Sequence, residues 1–294
     1  MKAVVFGGSG FLGSHVADAL TAHENDVTVF DIKVSPYLQE GQGMLTGSIL
    51  DKNRVEQAVS GSDAVYDFAG VADLDGASTR PIDTVDLNVK GTCIVMDACV
   101  KFGVKRFVYA SSFYANSDKG GFYRCSKQAA ELYIEEYGRK YGLPYTILRY
   151  GSLYGPRTTA PNGVHNMLLG AYRDSVIRYP GTGEELREYI HVKDAAELSV
   201  KILDRKYEGQ HIVLTGHEAL RVRDVIEMIR EIMGKPIAVE YGGKISELHY
   251  HMTPYSFKPH YNYKLTGDQY IDFGQGLIEC LHEIDGKEAS RGAD

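Results

Sequence analysis

"KAVVFGGSGFLGSHVADAL", residues 2–20, decides the fold. The run from Ala3 to Phe6 is apolar, as expected of a strand buried on both faces, and from Phe11 onward the residues read as a helix. Gly7, Gly10 and Gly13 stand between and within the two. Glycines at this spacing allow a tight turn, close backbone approach to a bound group and close packing of helix on strand, while the helix N-terminus offers unpaired N–H groups to an anion such as a pyrophosphate. Among 32 glycines a triplet alone carries little weight. Here a strand precedes it, a helix follows, and "DVTVFD" (26–31) ends in Asp31, 18 residues beyond Gly13. A carboxylate there accepts hydrogen bonds from ribose hydroxyls and repels a 2′-phosphate, so the expected cofactor is NAD rather than NADP. Lys33 works against that choice, and a simple turn cap is the plainer role for Asp31.

Outward from this unit, short strands alternate with helices: strands at 64–69, 106–111 and 145–150, and helices near 51–60, over 85–102 and from Tyr123 to about Tyr141. Such alternation predicts an α/β fold, a doubly wound parallel sheet of the Rossmann type. After "LYGPR" (153–157) the rhythm loosens, then returns with "REYIHVKDAAELSVKIL" and the strand-like "GQHIVLT" (209–215). Further helices are expected near 164–175 and over 222–233. The expected division is a cofactor-binding domain of residues 1–158 with 185–215, and a smaller, mixed C-terminal lobe of 159–184 with 216–294 that binds substrate. The tail "HYHMTPYSFKPHYNYK" (249–264) could stack on a sugar or base, or pack the small lobe.

Composition narrows the function classes. A formal net charge of -7 and 24% charged residues give no broad positive field, so no nucleic-acid partner is expected. The four cysteines, Cys93, Cys99, Cys125 and Cys280, show no metal-ligand or disulfide spacing; no metal is expected, and a cytoplasmic setting fits. No apolar run reaches the 18 residues of a membrane span, so no membrane partner is expected.

"YASSFYANSDKGGFYRCSK" (109–127) carries the chemistry. Tyr123 and Lys127 share one helical face at i, i+4. A free phenol ionises near pH 10, and bringing it to neutrality takes roughly 4 kcal/mol, toward which a nearby ammonium and an oxidised nicotinamide would contribute. Ser112 falls at the C-terminal end of a strand, where open α/β sheets place their ligands, and its hydroxyl could hold the substrate oxygen that Tyr123 deprotonates. One YxxxK is expected by chance in a chain with 21 tyrosines; its position after the strand, in a chain with a dinucleotide loop, singles this one out.

With "GGSGFLGSH", "DFAG" (67–70), "DLNVKGT" (86–92), "YASS", "YRCSK", "ILRYGSLYGPR" (147–157) and "PGTGEELREYIHVKDAA" (180–196), the chain resembles the extended short-chain dehydrogenase/reductases, in the NAD-dependent epimerase/dehydratase branch acting on nucleotide sugars. The resemblance implies that Gly7, Gly10, Phe11, Leu12 and Gly13 line the pyrophosphate, Asp31 the ribose, Ser48 and Ile49 the adenine, and Phe68, Ala69 and Gly70 the middle of NAD. Asn88, Ser111 and Tyr150 are further implied cofactor residues, although Asn88 has the alternative of an ordinary helix cap. Ser112, Tyr123 and Lys127 match the catalytic set, the latter two also touching cofactor. Arg187 matches an arginine that grips the substrate diphosphate; an ion pair with Glu184 or Glu185 is its bland alternative. Ser152 and His165 fall in the substrate region, although a lone histidine is more often a packing or surface residue.

Three departures matter. Ser48 replaces a usual Asp, Ser152 replaces a usual Asn, and Phe113 and Tyr114 follow Ser112 where dehydratases and decarboxylases tend to carry an acid. The expectation is therefore an NAD-dependent epimerase or oxidoreductase, most simply at C4 of a nucleotide-diphosphate sugar. A 4,6-dehydratase or other keto-sugar-forming enzyme using Asp73 or Asp75, and a non-catalytic NAD-binding regulatory protein, are the alternatives. The resemblance also implies a homodimer through helices 85–102 and 123–141. The short interval between Ser112 and Tyr123 should leave the pocket open above the sugar.

Overall fold

The computed structural model describes residues 1–158, 162–243 and 248–252, all within one compact unit, Met1–Lys258. Seven strands form the main sheet: β1 (Lys2–Phe6), β2 (Asp26–Asp31), β3 (Gly43–Thr46), β4 (Ala64–Asp67), β5 (Arg106–Ser112), β6 (Tyr145–Tyr150) and β10 (Gln210–Leu214). Their order is β10-β6-β5-β4-β1-β2-β3 and every pairing is parallel. The chain runs outward from β1 through β2 to β3, then returns to place β4 on the other flank of β1. That reversal opens a crevice at the C-terminal ends of the strands.

Two apolar layers hold the sheet. On one face α1 (Phe11–Ala22) and α8 (Val192–Lys201) bury Val16, Leu20 and Ala196 against Val5, Val29 and Leu148. On the other, α2 (Lys52–Val59), α5 (Thr92–Phe102) and α6 (Gly121–Tyr141) bury Val55, Met96 and Ile134 against Phe6, Phe107 and Ile147. The short helices α3 (Leu74–Thr79) and α4 (Pro81–Val85) lead into a π-helical turn, Asp86–Gly91, which continues into α5. The single helix expected over 85–102 thus contains a wider turn, and the helix expected from Tyr123 starts two residues earlier.

Beside the main sheet, α7 (Gly163–Asp174) and α9 (Val222–Met233) pack through Met167, Ala171, Ile226 and Ile229 onto Ile177 of β8 (Val176–Tyr179), which pairs in parallel with β12 (Ala238–Tyr241). A third sheet joins β7 (Ser152–Tyr154), β9 (Leu186–His191) and β11 (Ala219–Arg221) in the order β11-β9-β7. β9, expected within the cofactor domain, therefore leaves the main sheet. Of the lobe expected over 216–294, residues 244–247 and everything from 253, including most of the His/Tyr-rich tail, lie outside the described residues. No helix among the described residues is long and apolar enough to cross a membrane.

Candidate active site

The crevice is built first by glycine. Gly7 adopts φ +73, donates its N–H to the Phe30 carbonyl at 2.8 Å, and lies so close to β4's exit that a Cβ there would stand 2.7 Å from the Ala69 nitrogen. α1 begins at Gly10 with no side-chain cap, leaving its first N–H groups directed at whatever occupies the crevice. Asp31, at the end of β2, accepts the Ser9 N–H at 3.1 Å and the Lys33 N–H at 3.2 Å, so it braces the glycine turn as well as edging the crevice.

Of the expected cofactor residues, Gly7, Gly10, Asp31, Ser48, Ile49, Phe68, Ala69 and Gly70 line one cleft, together with Phe30, Ile32, Gly47 and Leu87, which sequence reasoning missed. Phe11, Leu12 and Gly13 form the first turn of α1 beside it. A cleft lined by Gly7, Gly10, Gly47 and Gly70 with an acidic residue, Asp31, in its wall suits a dinucleotide, and these residues fit NAD. Ser111 and Tyr150 commit their hydroxyls elsewhere: Ser111 donates to Glu131, and Tyr150 pairs with Ser199 at 2.7 Å.

Ser112 closes β5 and caps the following turn, its Oγ accepting the Tyr114 N–H at 3.3 Å. α6 turns Tyr123, Ser126, Lys127 and Glu131 inward on one buried face. The Ser112 hydroxyl is near enough to the Tyr123 phenol to favour its ionisation, and the Lys127 Nζ lies 5.8 Å from the Tyr123 ring centre. The three expected catalytic residues therefore meet. Burial pushes Tyr123 up to about 12, against the favourable Ser112 contact. Lys127 is aimed at the Ala110 carbonyl, 2.7 Å away, and lies over the Tyr109 ring. Burial lowers Lys127 to about 8, while the charges of Asp67 and Glu131 favour its protonated form.

Asn88 locks this floor from the π-helical turn. Its Oδ1 accepts the Val71 N–H at 2.7 Å, and its Nδ2 donates to the Val71 carbonyl and to Ser126 Oγ, each at 2.9 Å. It is a brace between two segments, not a helix cap. Behind α6, Glu131 receives Arg149 at 3.0 and 2.6 Å, tying α6 to β6.

On the substrate side, Arg187 stacks on Tyr250 at 4.5 Å and donates to the carbonyls of Leu186 and His251. Its expected acidic partners are otherwise engaged: Glu184 pairs with Arg221 and Arg223, and Glu185 accepts backbone N–H groups of Thr182 and Gly183. Ser152 begins β7 opposite Tyr189. His165 sits apart, in a groove with Leu168, Leu169, Tyr172 and Met233, so the structure does not bring it to the catalytic trio. Asp73 spends its carboxylate on the Gly76 N–H at 2.7 Å, capping α3. Tyr114, His249 and Tyr250 cluster beside Tyr123: the sequence pointed to the tail that begins at His249 as a candidate sugar contact and to Tyr114 as standing where relatives tend to carry an acid, but not to their meeting.

A model described as the NAD dependent epimerase/dehydratase family matches residues 3–215. A UDP-N-acetyl-alpha-D-glucosaminuronate decarboxylase of Bacillus cytotoxicus is 27% identical over 262 residues, covering 79% of this chain and 80% of the relative. A dTDP-glucose 4,6-dehydratase of Mycobacterium tuberculosis is 28% identical over 264 residues, covering 79% and 77%. The crystal structure of UDP-glucuronic acid 4-epimerase from Bacillus cereus, in complex with UDP-glucuronic acid and NAD, shares the fold at a TM-score of 0.79 and 22% identity, over 86% of this chain and 89% of that one.

Proposed function

The chain belongs to the NAD-dependent epimerase/dehydratase family, whose cofactor is NAD, and from that premise we propose that it is a nucleotide-sugar epimerase that inverts C4 through a keto intermediate. The observation that carries this reading is the meeting of Ser112, Tyr123 and Lys127 where β5 ends and α6 begins, with Phe113 and Tyr114, not a carboxylate, directly after Ser112. NAD, when bound, supplies the acceptor and then the donor of the hydride. In this reading Gly7 and Gly10 hold its pyrophosphate, Asp31 its ribose, and Ser48 and Ile49 its adenine.

The chain's own chemistry is proton handling. Ser112 orients the C4 hydroxyl, and Tyr123 takes its proton and later returns it. Burial opposes a Tyr123 phenolate, so the charge of Lys127 and the Ser112 hydroxyl must offset that cost. Arg187, held flat by Tyr250, is suited to the substrate diphosphate. The small lobe of α7, α9, β8 and β12 is assigned to substrate, and the protein to the cytoplasm.

The named relatives include a decarboxylase and a dehydratase. Keto-sugar formation without return to an alcohol is therefore the second reading, and accumulation of a ketone product would replace the first by it. A homodimer fits the exposed apolar residues Val85, Leu132 and Tyr133 on the helices expected to pair.

The test is a thermal-shift and turnover screen with NAD and UDP-glucose, UDP-glucuronic acid and UDP-N-acetylglucosamine. A substrate raises the melting temperature by mass action and yields its C4 epimer. Tyr123→Phe should cut turnover by roughly 10²–10⁴; full turnover in that variant rejects the mechanism.

A further inference from the structure

Above Tyr123 stands a second pair of proton-carrying groups that hydride transfer at C4 does not use. The Tyr114 hydroxyl meets His249 Nδ1 at 2.8 Å. The Tyr114 ring lies edge-on to Tyr123 with centres 6.1 Å apart, and packs on Tyr250 at 4.8 Å. Its position is fixed at both ends. The Tyr114 N–H is held by Ser112 Oγ, and the ring fills the space left by Gly120, where φ is +95 and a Cβ would stand 2.7 Å from the ring. One sugar ring that offers its C4 oxygen to Tyr123 would therefore also lie against Tyr114.

We propose that Tyr114 and His249 form a second catalytic pair, which exchanges the proton on the ring carbon next to C4 while C4 is a ketone. This rests on the keto intermediate of the preceding reading. A ketone acidifies the neighbouring C–H. In the step, that C–H bond breaks and its electron pair enters the C–C=O unit as an enolate on the C4 oxygen, which accepts a hydrogen bond from Tyr123. The carbon's proton passes to the Tyr114 oxygen as the phenol's own proton passes to His249 Nδ1. The reverse step returns a proton to carbon, with no change in oxidation state.

The surroundings suit this charge separation. Burial, with Tyr250, Tyr123 and Tyr179 nearby, holds Tyr114 protonated at rest, while the Arg187 charge favours its anion. Burial and Arg187 keep His249 neutral, ready to accept, while the Asp75 carboxylate favours its cation. His249 is exposed on its outer side, so the proton that it holds exchanges with water.

The experiment uses the NAD-loaded protein in heavy water with UDP-4-keto-6-deoxyglucose, a probe that already carries the ketone, and follows deuterium at C3 and C5 by NMR. The wild type should incorporate deuterium faster than buffer at one of these carbons. Tyr114→Phe keeps the ring contacts, and His249→Gln keeps an acceptor that cannot take the proton; both should lower the rate about a hundredfold. No exchange above buffer in the wild type, or wild-type exchange in both variants, overturns the pair. Inversion at C4 of UDP-glucose, UDP-glucuronic acid and UDP-N-acetylglucosamine is measured alongside; its absence with all three while exchange persists would reject the epimerase reading and leave the pair standing.

Discussion

Asp67 is buried at the end of β4, its carboxylate accepting Thr92 Oγ1 at 2.9 Å and the Ala69 N–H at 3.2 Å. Burial raises it to about 6, so above that pH it is an anion facing the Lys127 ammonium. Removing that anion must make Lys127 easier to deprotonate. Asp67→Asn keeps the hydrogen-bond acceptor and should move the alkaline limb of kcat/KM from near 8 toward neutrality by roughly one pH unit. An unmoved limb would show that Asp67 does not act on Lys127. Ser112, Tyr123 and Lys127 could be read in the sequence because a strand end and one helical turn fix their relation locally. His249 could not: it reaches Tyr114 across 135 positions, and no local period encodes such a contact.

At the scale of elements, the π-helical turn Asp86–Gly91 gives the site its rigidity by directing Asn88 inward. Asn88→Ala leaves the Val71 N–H and carbonyl without their partner and removes a donor to Ser126, whose hydroxyl holds the Tyr123 carbonyl at 2.7 Å. The variant should lose about 2 kcal/mol or more of stability in urea unfolding, and turnover should fall with it. A midpoint unchanged from the wild type would deny Asn88 this bracing role. The helical period over 85–102 was legible, but a wider turn within it was not, since one extra residue per turn leaves the pattern of apolar positions nearly intact. β3 was missed for a different reason. Its four residues, Gly43–Thr46, are too few to show alternation, and none is fully buried.

At the scale of the molecule, the parallel sheet was legible because its inner strands are short runs rich in buried apolar residues, such as Ala3–Phe6 in β1 and Ala64–Tyr66 in β4, that alternate with helices. The β11-β9-β7 sheet was not, because its outer strands are three residues each and their pairing is set by tertiary contact. The proposed dimer makes a molecular prediction. Leu132 is 66% exposed and Tyr133 52% exposed on α6. Leu132→Asp places a charge in that face and should convert a dimer to a monomer in light scattering at micromolar concentration; a wild-type monomer would reject the assembly. The sheet also has an order in time. β10 covers the free edge of β6, yet it is the last main-sheet strand to be made, after α7, β8, β9 and α8. During synthesis the strand beside Ser112's own is therefore complete and unpaired on its outer side until Leu214 has left the ribosome. The nascent chain carries an edge open to wrong partners throughout that interval, and slowing translation before residue 214 should raise aggregation more than slowing it afterwards.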